Sequence, residues 1–338
     1  QDTAETSTTL QVATQKGVDM AFTSADLTLS LDDFSKRVLS PAMAVLASNI
    51  ESDALSMYKD VANEVSDVGA SITFKHLLKA NEVLDRALTP MDGRRSVCLN
   101  PTDNVELVDI LKTLQNDKGE VSKQYRDGYM GKAAGFNFMQ NTLMPTHTTG
   151  TEAGADTGAN VNGASQSGAA VTVNGTVTGT FVKGDIVCFE GCYDVHPETK
   201  TSTGLLKQFV VTAAVATSYS SIPISPSIVL TGARQNVSAA PTDTGIVYKV
   251  ESDRSTGIAG SADYTISLAY HEDAFTFATA DLVMPKGVDF AAREVFDGIS
   301  LRVVRQYDIN NDNLPCRIDV LYGYKAIRPT LACRLGFN

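Results

Sequence analysis

No stretch of the chain approaches the ~20 consecutive apolar residues a helix needs to cross a bilayer. No charged and apolar leader opens it either, so neither a membrane partner nor a secretory route is expected. Basic residues are short in supply, 28 Lys and Arg against 39 Asp and Glu, for a net charge of −11. Nowhere do they run together with interleaved aromatics. That argues against a dedicated nucleic-acid binder, which needs a basic face. Cysteine is sparse as well. Cys98, Cys188, Cys192, Cys316 and Cys333 are odd in number and mostly far apart, which argues against a disulfide framework and fits a reducing cytoplasm. Each lies in an apolar, strand-like context and reads as a small buried hydrophobe.

The signatures of catalysis are missing too. There is no Gly-x-Ser-x-Gly elbow, no His-Glu-x-x-His helix and no dinucleotide fingerprint. Three near misses fail on chemistry. Gly128–Ala134 resembles a phosphate loop, but Arg126 and Ala133 stand where the first glycine and the metal-binding hydroxyl belong. Asp308, Asn310, Asp312 and Asp319 follow part of a calcium-loop spacing. However, Asn313 replaces the obligatory glycine and both flanks are strand-like, so a hairpin tip accounts for the same residues. Cys188, Cys192 and His196 are spaced by four within a strand-and-turn sequence, and His76, His147 and His271 lie far from them. Adjacent carboxylates, Asp32-Asp33 and Glu272-Asp273, diverge on any regular backbone and read as solvated or capping groups. No enzyme activity, cofactor, metal or catalytic residue is expected.

What the chain does contain is enough apolar sequence for a sizeable core: 338 residues, 43% hydrophobic and 20% charged. Residues 1–30 read as an extended, Thr-rich β segment. Because Gln1 is no translation start and the strand pattern is already under way, an N-terminal arm is expected upstream. Residues 31–39 suit a short helix. Ser40-Pro41 then supplies an N-cap and a first-turn proline. From Met43 to Val65 apolar residues recur at three- and four-residue steps, which predicts one amphipathic helix over 41–65, about 37 Å long at 1.5 Å per residue. A second helix is predicted over Phe74–Leu88, with Leu77, Leu78, Val83, Leu84 and Leu88 on its apolar face. Asp92-Gly93 turns the chain into a strand over Arg95–Leu99, and Pro101 opens a third helix.

Composition changes near residue 150. Gly, Ala, Thr, Asn and Ser dominate to Gly179, and strand-like runs follow at Asp185–Phe189, Leu205–Val215, Ile222–Leu230 and Ile246–Val250. Short strands with Gly-rich turns predict a small antiparallel barrel-like domain over 150–262, inserted through flexible joints. Beyond it, Ile299–Val304 and Cys316–Tyr322 alternate around the turn-forming Asp308–Asn313, predicting a long hairpin with its charges on the solvent side.

Three blocks carry a family resemblance. YDINND, RIDVLYG and Arg328-Pro329 form the first. LNPTDN from Leu99, YRDGYMGKAAGFNF from Tyr125 and LMPTHTTGT from Leu143 form the second. The third runs from Val18 to Leu55. In order and spacing they resemble the major capsid proteins of tailed bacteriophages, nearest to the coat proteins of short-tailed phages such as those infecting Salmonella. The resemblance implies an α+β Hong Kong 97-type capsid fold with a long spine helix, an extended E-loop, peripheral and axial domains, and an inserted β domain. On that scheme residues 1–30 return the E-loop across a neighbouring subunit. Residues 31–149 hold the spine helix, the peripheral domain and the first part of the axial domain, 150–262 form the insertion, and 263–338 complete the axial and peripheral domains. The implied function is self-assembly as hexamers and pentamers into an icosahedral head around double-stranded DNA, built in the host bacterial cytoplasm. Scaffolding and portal proteins, a decoration protein, and weak non-specific DNA contact are the implied partners. A β-rich surface module that recognises a host receptor or glycan through 150–262 is the alternative.

Overall fold

A computed structural model describes residues 7–23, 40–111, 132–152, 158–174, 179–249, 260–296 and 298–337. The short helix expected over 31–39 lies outside the described residues. Two compact units emerge, one spanning Ser56–Ala274 with Ala326–Asn338, the other Glu5–Leu55 with Phe275–Lys325.

Among the described residues, the smaller unit is an antiparallel sheet with one helix on it. Its strand order is Thr14–Thr23, Asn313–Ala326, Ile299–Arg305 and Phe290–Phe296, and Phe275–Ala280 also pairs with Asn313–Ala326. The alternating C-terminal hairpin forms as its period requires. The Thr-rich segment pairs with this chain's own sheet in unbroken register, from Thr14↔Tyr322 to Thr23↔Asn313. Helix α1 (Ser40–Leu55) buries Leu46 and Ile50 against Ile318, Val320 and Tyr322.

Helix α1 stops well short of the predicted Val65. A 3-10 turn follows at Ser56–Asp60, and Glu64–Ser66 is a strand. Sixteen residues span about 24 Å, not 37. The apolar stripe beyond Leu55 serves a different core. Val65 joins Leu77, Leu99 and Leu335 in the larger unit, where Glu64–Ser66 pairs in parallel with the C-terminal strand. Burial against distant partners overrides a local period that happened to continue.

In the larger unit a mixed sheet runs in the order Glu64–Ser66, Ala332–Phe337, Asp263–His271, Arg95–Leu99, Phe136–Gln140 and Lys132–Ala133, and Thr146–Thr148 also pairs with Asp263–His271. Helix α2 (Phe74–Arg86) turns His76, Leu77, Ala80 and Leu84 inward. Leu78 and Leu88, expected on that face, are exposed. Helix α3 (Pro101–Leu111) starts where Asn100 Oδ1 accepts the Asp103 amide at 2.7 Å, an N-cap followed by proline at the first position.

The inserted segment differs from the predicted barrel. Its main sheet is an open half-barrel in the order Val247–Lys249, Ile186–Phe189, Phe209–Val211, Ser221–Ile228 and Gly168–Thr172. Residues 159–162 span its two edges through the isolated bridges Asn160↔Ile246 and Val161↔Val173 and a few backbone hydrogen bonds, without forming a further strand among the described residues. Pro223 and Pro226 lack the N–H a continuous ladder needs, and register shifts between Pro223 and Ile228. The single strand expected over Leu205–Val215 is two. Ser202–Leu206 pairs with Tyr193–Val195, while Phe209–Val211 enters the half-barrel. Phe181, Phe189, Phe209, Val211 and Ile222 fill its concave face.

Candidate functional site

Among the described residues, a dense ionisable cluster lies in the larger unit, where the half-barrel meets the mixed sheet. Glu64 and Arg334 stand in register on neighbouring parallel strands, 2% and 0% exposed. Arg334 donates one terminal nitrogen to the Glu64 carboxylate and the other to the Gly184 carbonyl at 2.6 Å. The Tyr264 hydroxyl donates to both carboxylate oxygens at 3.2 and 3.3 Å. Burial, and then the Glu64 charge, push that phenol well above its ordinary pKa, so it stays a donor. Gln208 continues the network. Its Oε1 accepts the Glu64 amide at 3.1 Å and its Nε2 donates to the Glu64 carbonyl at 3.0 Å, as a paired strand would.

Beside this pair a second cluster ties down the start of the insertion. His147 Nε2 lies 3.0 Å from Asp185 Oδ1, and the Tyr58 hydroxyl lies 3.1 Å from His147 Nδ1. Asp185 Oδ2 accepts the amides of Gly150 and Val182 at 3.1 and 2.9 Å. Lys249 donates to the carbonyls of Gly150 and Glu152 at 2.9 and 2.7 Å, and desolvation lowers its pKa against the pull of Asp185 and Glu152. The Tyr219 hydroxyl donates to Glu152 at 2.8 Å. Where the joint expected to be flexible is described, Thr149, Gly150 and Glu152 form a buried, hydrogen-bonded seat. Gly184, at φ +103°, is needed there, since a Cβ would press on His147 and Lys59 at 3.1 Å.

The smaller unit spends its charges the same way. Arg302 grips Asp319 with two hydrogen bonds, 3.0 and 2.6 Å, and Gln15 adds a third at 2.7 Å. Asp319 is fully buried, so the hairpin's charges do not all face solvent as its period implied. Although desolvation raises the Asp319 pKa, the bonds and charges of Arg302 and Gln15 outweigh it and hold the carboxyl below the usual range. On α1, Asp53 binds Lys16 at 2.6 Å and accepts the Tyr322 hydroxyl, fixing the helix to the sheet.

The described side chains of these near-miss motifs are engaged within the fold. Cys188 packs with Ile186 and Val210, whereas Cys192 packs in the concave core, where desolvation lifts its thiol to about 12. His196 Nδ1 faces the amides of Glu198 and Thr199 at 3.3 Å. At the hairpin tip Asp308 accepts the Asn310 amide at 3.0 Å and the Asn311 side chain at 2.8 Å, while Asp319 is committed to Arg302. Of the phosphate-loop look-alike, Lys132 and Ala133 form a short strand and 128–131 lie outside the described residues. Among the described residues no group of three or more His, Cys, Asp or Glu side chains is placed to hold a metal. The side chains that matter, Glu64, Arg334, Tyr264 and Gln208, carry no motif. One signal was available: Arg334 is a lone charge in an otherwise apolar LACRLGF strand, which demands a buried partner.

Polar chemistry turned inward in this way holds the framework of each unit together. The chain belongs to the P22 coat protein family: the family described as P22 coat protein, gene protein 5, matches residues 2–335. It is a structural major capsid protein of a bacteriophage, a component of the virion that associates with copies of itself. A match that spans both units, and not the β-rich segment alone, leaves the receptor-binding alternative unsupported. No curated protein matches the chain. Among solved structures, the chain is similar to the capsid structure of the cyanophage P-SCSP1u, at 11% identity and TM-score 0.47 over 99% of this chain and 78% of that one. It is also similar to a chain of Mycobacterium phage Che8 at 11% identity and TM-score 0.46, covering 96% and 71%. A third is the acid-stable capsid of Helicobacter pylori bacteriophage KHP30, at 8% identity and TM-score 0.44, covering 96% and 75%. The family match carries the assignment.

Proposed function

We propose that copies of this chain tile an icosahedral head as hexamers and pentamers around double-stranded DNA, assembling in the host bacterial cytoplasm with a scaffolding protein and a portal. Membership of the coat protein family over nearly the whole chain is the observation that carries this reading. On this scheme 1–30 reaches a neighbour, 31–149 and 263–338 make the wall, and 150–262 is the insertion. No residue is assigned a catalytic, cofactor or metal role. Physical features agree with such a part. Both units leave large apolar side chains in water, Val283 at 84%, Ile309 at 80%, Met91 at 73% and Val105 at 67% exposure, available for burial between copies. Symmetry repeats each modest contact many times. An acidic wall with net charge −11 repels the packaged genome and limits DNA to weak, non-specific contact. A decoration protein would bind the finished exterior.

The test is size-exclusion chromatography with negative-stain microscopy of the purified chain, alone and with its phage's scaffolding protein. Shells some tens of nanometres across are expected. A sharp monomer peak under every condition would overturn the proposal.

A further inference from the structure

The larger unit contains a cleft of about 350 Å³ between the C-terminal end of α2 and the loops of the inserted segment. In a chain dominated by carboxylates, its walls are basic: Arg86, Lys200, Lys207 and Arg234 line it, against Asp194 alone. Lys207 pairs with Asp194 at 2.8 Å and Arg86 with Glu82 on the helix surface at 2.6 Å, so these two cations are fixed but largely neutralised, and the recognition of an acidic partner falls to Lys200 and Arg234. Lys200 is held by the Gln235 carbonyl at 3.2 Å. Val195 and Pro197 add an apolar wall. Such a cleft suits a short acidic segment with an apolar residue at its centre.

The chain presents such a segment. The turn between Ile299–Arg305 and Asn313–Ala326 places Asp308 and Asp312 on either side of Ile309, which is 80% exposed. Its shape is set in advance. Asp308 accepts two hydrogen bonds from within the turn, and Asp312, at φ +48°, accepts the Tyr307 hydroxyl at 2.9 Å. A preordered loop loses little entropy on docking.

We propose that the basic cleft receives the Asp308–Asp312 turn of a second copy, with the carboxylates facing Lys200 and Arg234 and Ile309 against Val195 and Pro197. This contact rests on the shell-forming reading above and gives it a specific seam.

Particle formation followed by light scattering against protein concentration tests it. Lys200→Glu with Arg234→Glu is expected to raise the concentration at which particles form by about tenfold or more, since each seam is repeated around the shell. Asp308→Asn with Asp312→Asn keeps the turn chemistry, because asparagine tolerates the same backbone. Added to the cleft reversal, it removes four-carboxylate repulsion and restores much of the loss. Costs that simply add would overturn the proposal. Independently, a labelled cyclic peptide of Tyr307–Asn313 is expected to bind the soluble chain, several-fold more weakly at about 200 mM than at about 50 mM salt. No binding, or equal binding by a scrambled acidic peptide or inorganic phosphate, would overturn it. Absence of shells from the unaltered chain combined with peptide binding would remove the shell reading and leave the docking contact standing.

Discussion

The buried Arg334–Glu64 pair makes a prediction whose size follows from its surroundings. In Arg334→Met the Glu64 carboxylate keeps only the Tyr264 hydroxyl and the Gly184 carbonyl loses its donor. Removing one partner of a buried pair costs about 3–5 kcal/mol, a large share of the ~5–15 kcal/mol typical of a folded domain. Glu64→Leu is expected to cost at least as much, because a guanidinium cannot shed its proton to escape the apolar site. Arg334→Met combined with Glu64→Leu removes both charges and fills similar volume, and is expected to fall within about 1–2 kcal/mol of the unaltered chain. The coupling between the sites is therefore several kcal/mol. Urea unfolding of the soluble chain followed by circular dichroism measures all four corners. Single losses below about 1 kcal/mol, or a double variant as unstable as the sum of the two, would refute the reasoning.

Three further outcomes can be measured in the same way. Gly150→Ala places a methyl group over the Thr180 carbonyl at the seat of the insertion, and is expected to cost more than the ~1–3 kcal/mol of ordinary overpacking in a urea titration. Asp103, buried beside Ser267, has its pKa raised to about 6 by desolvation. The folded chain then binds a proton that the unfolded chain has lost, so stability declines by up to about 3 kcal/mol as pH rises from about 4 to 6. Asp103→Asn should abolish that slope while still accepting the Ser267 hydroxyl. Asp319 is shifted the other way, so its contribution is present above the ordinary carboxyl pKa and is lost as pH falls through the lower folded value. In acid titrations watched by circular dichroism, Asp319→Asn should begin less stable at pH 7 and lose less below about pH 4.

Legibility in the sequence followed the range of the interactions. The helix start at Pro101, the Asp92-Gly93 turn and the hairpin around Asp308–Asn313 were readable because each is made by neighbours along the chain. The α1 end was not. Val61 and Val65 keep a helical spacing, yet Val65 belongs to a core shared with Leu335, 270 residues away. Asp319 sits on the period of a solvent-facing strand position, and only the arrival of Arg302 and Gln15 makes burial there favourable. The residues around 150 read as loose because glycine and serine permit looseness. Asp185 and Lys249 convert the same residues into a bonded joint.

By itself the sequence determined the kind of protein: a large apolar core without catalytic motifs, an acidic balance, and blocks whose order identifies the coat family. It also set the local elements, since caps, turns and strand periods act over a few residues. Tertiary structure alone decided where α1 ends, that the inserted sheet stays open, and which charges are buried. Those outcomes depend on pairs such as Glu64 with Arg334, whose attraction becomes strong only after folding has brought them together and excluded water.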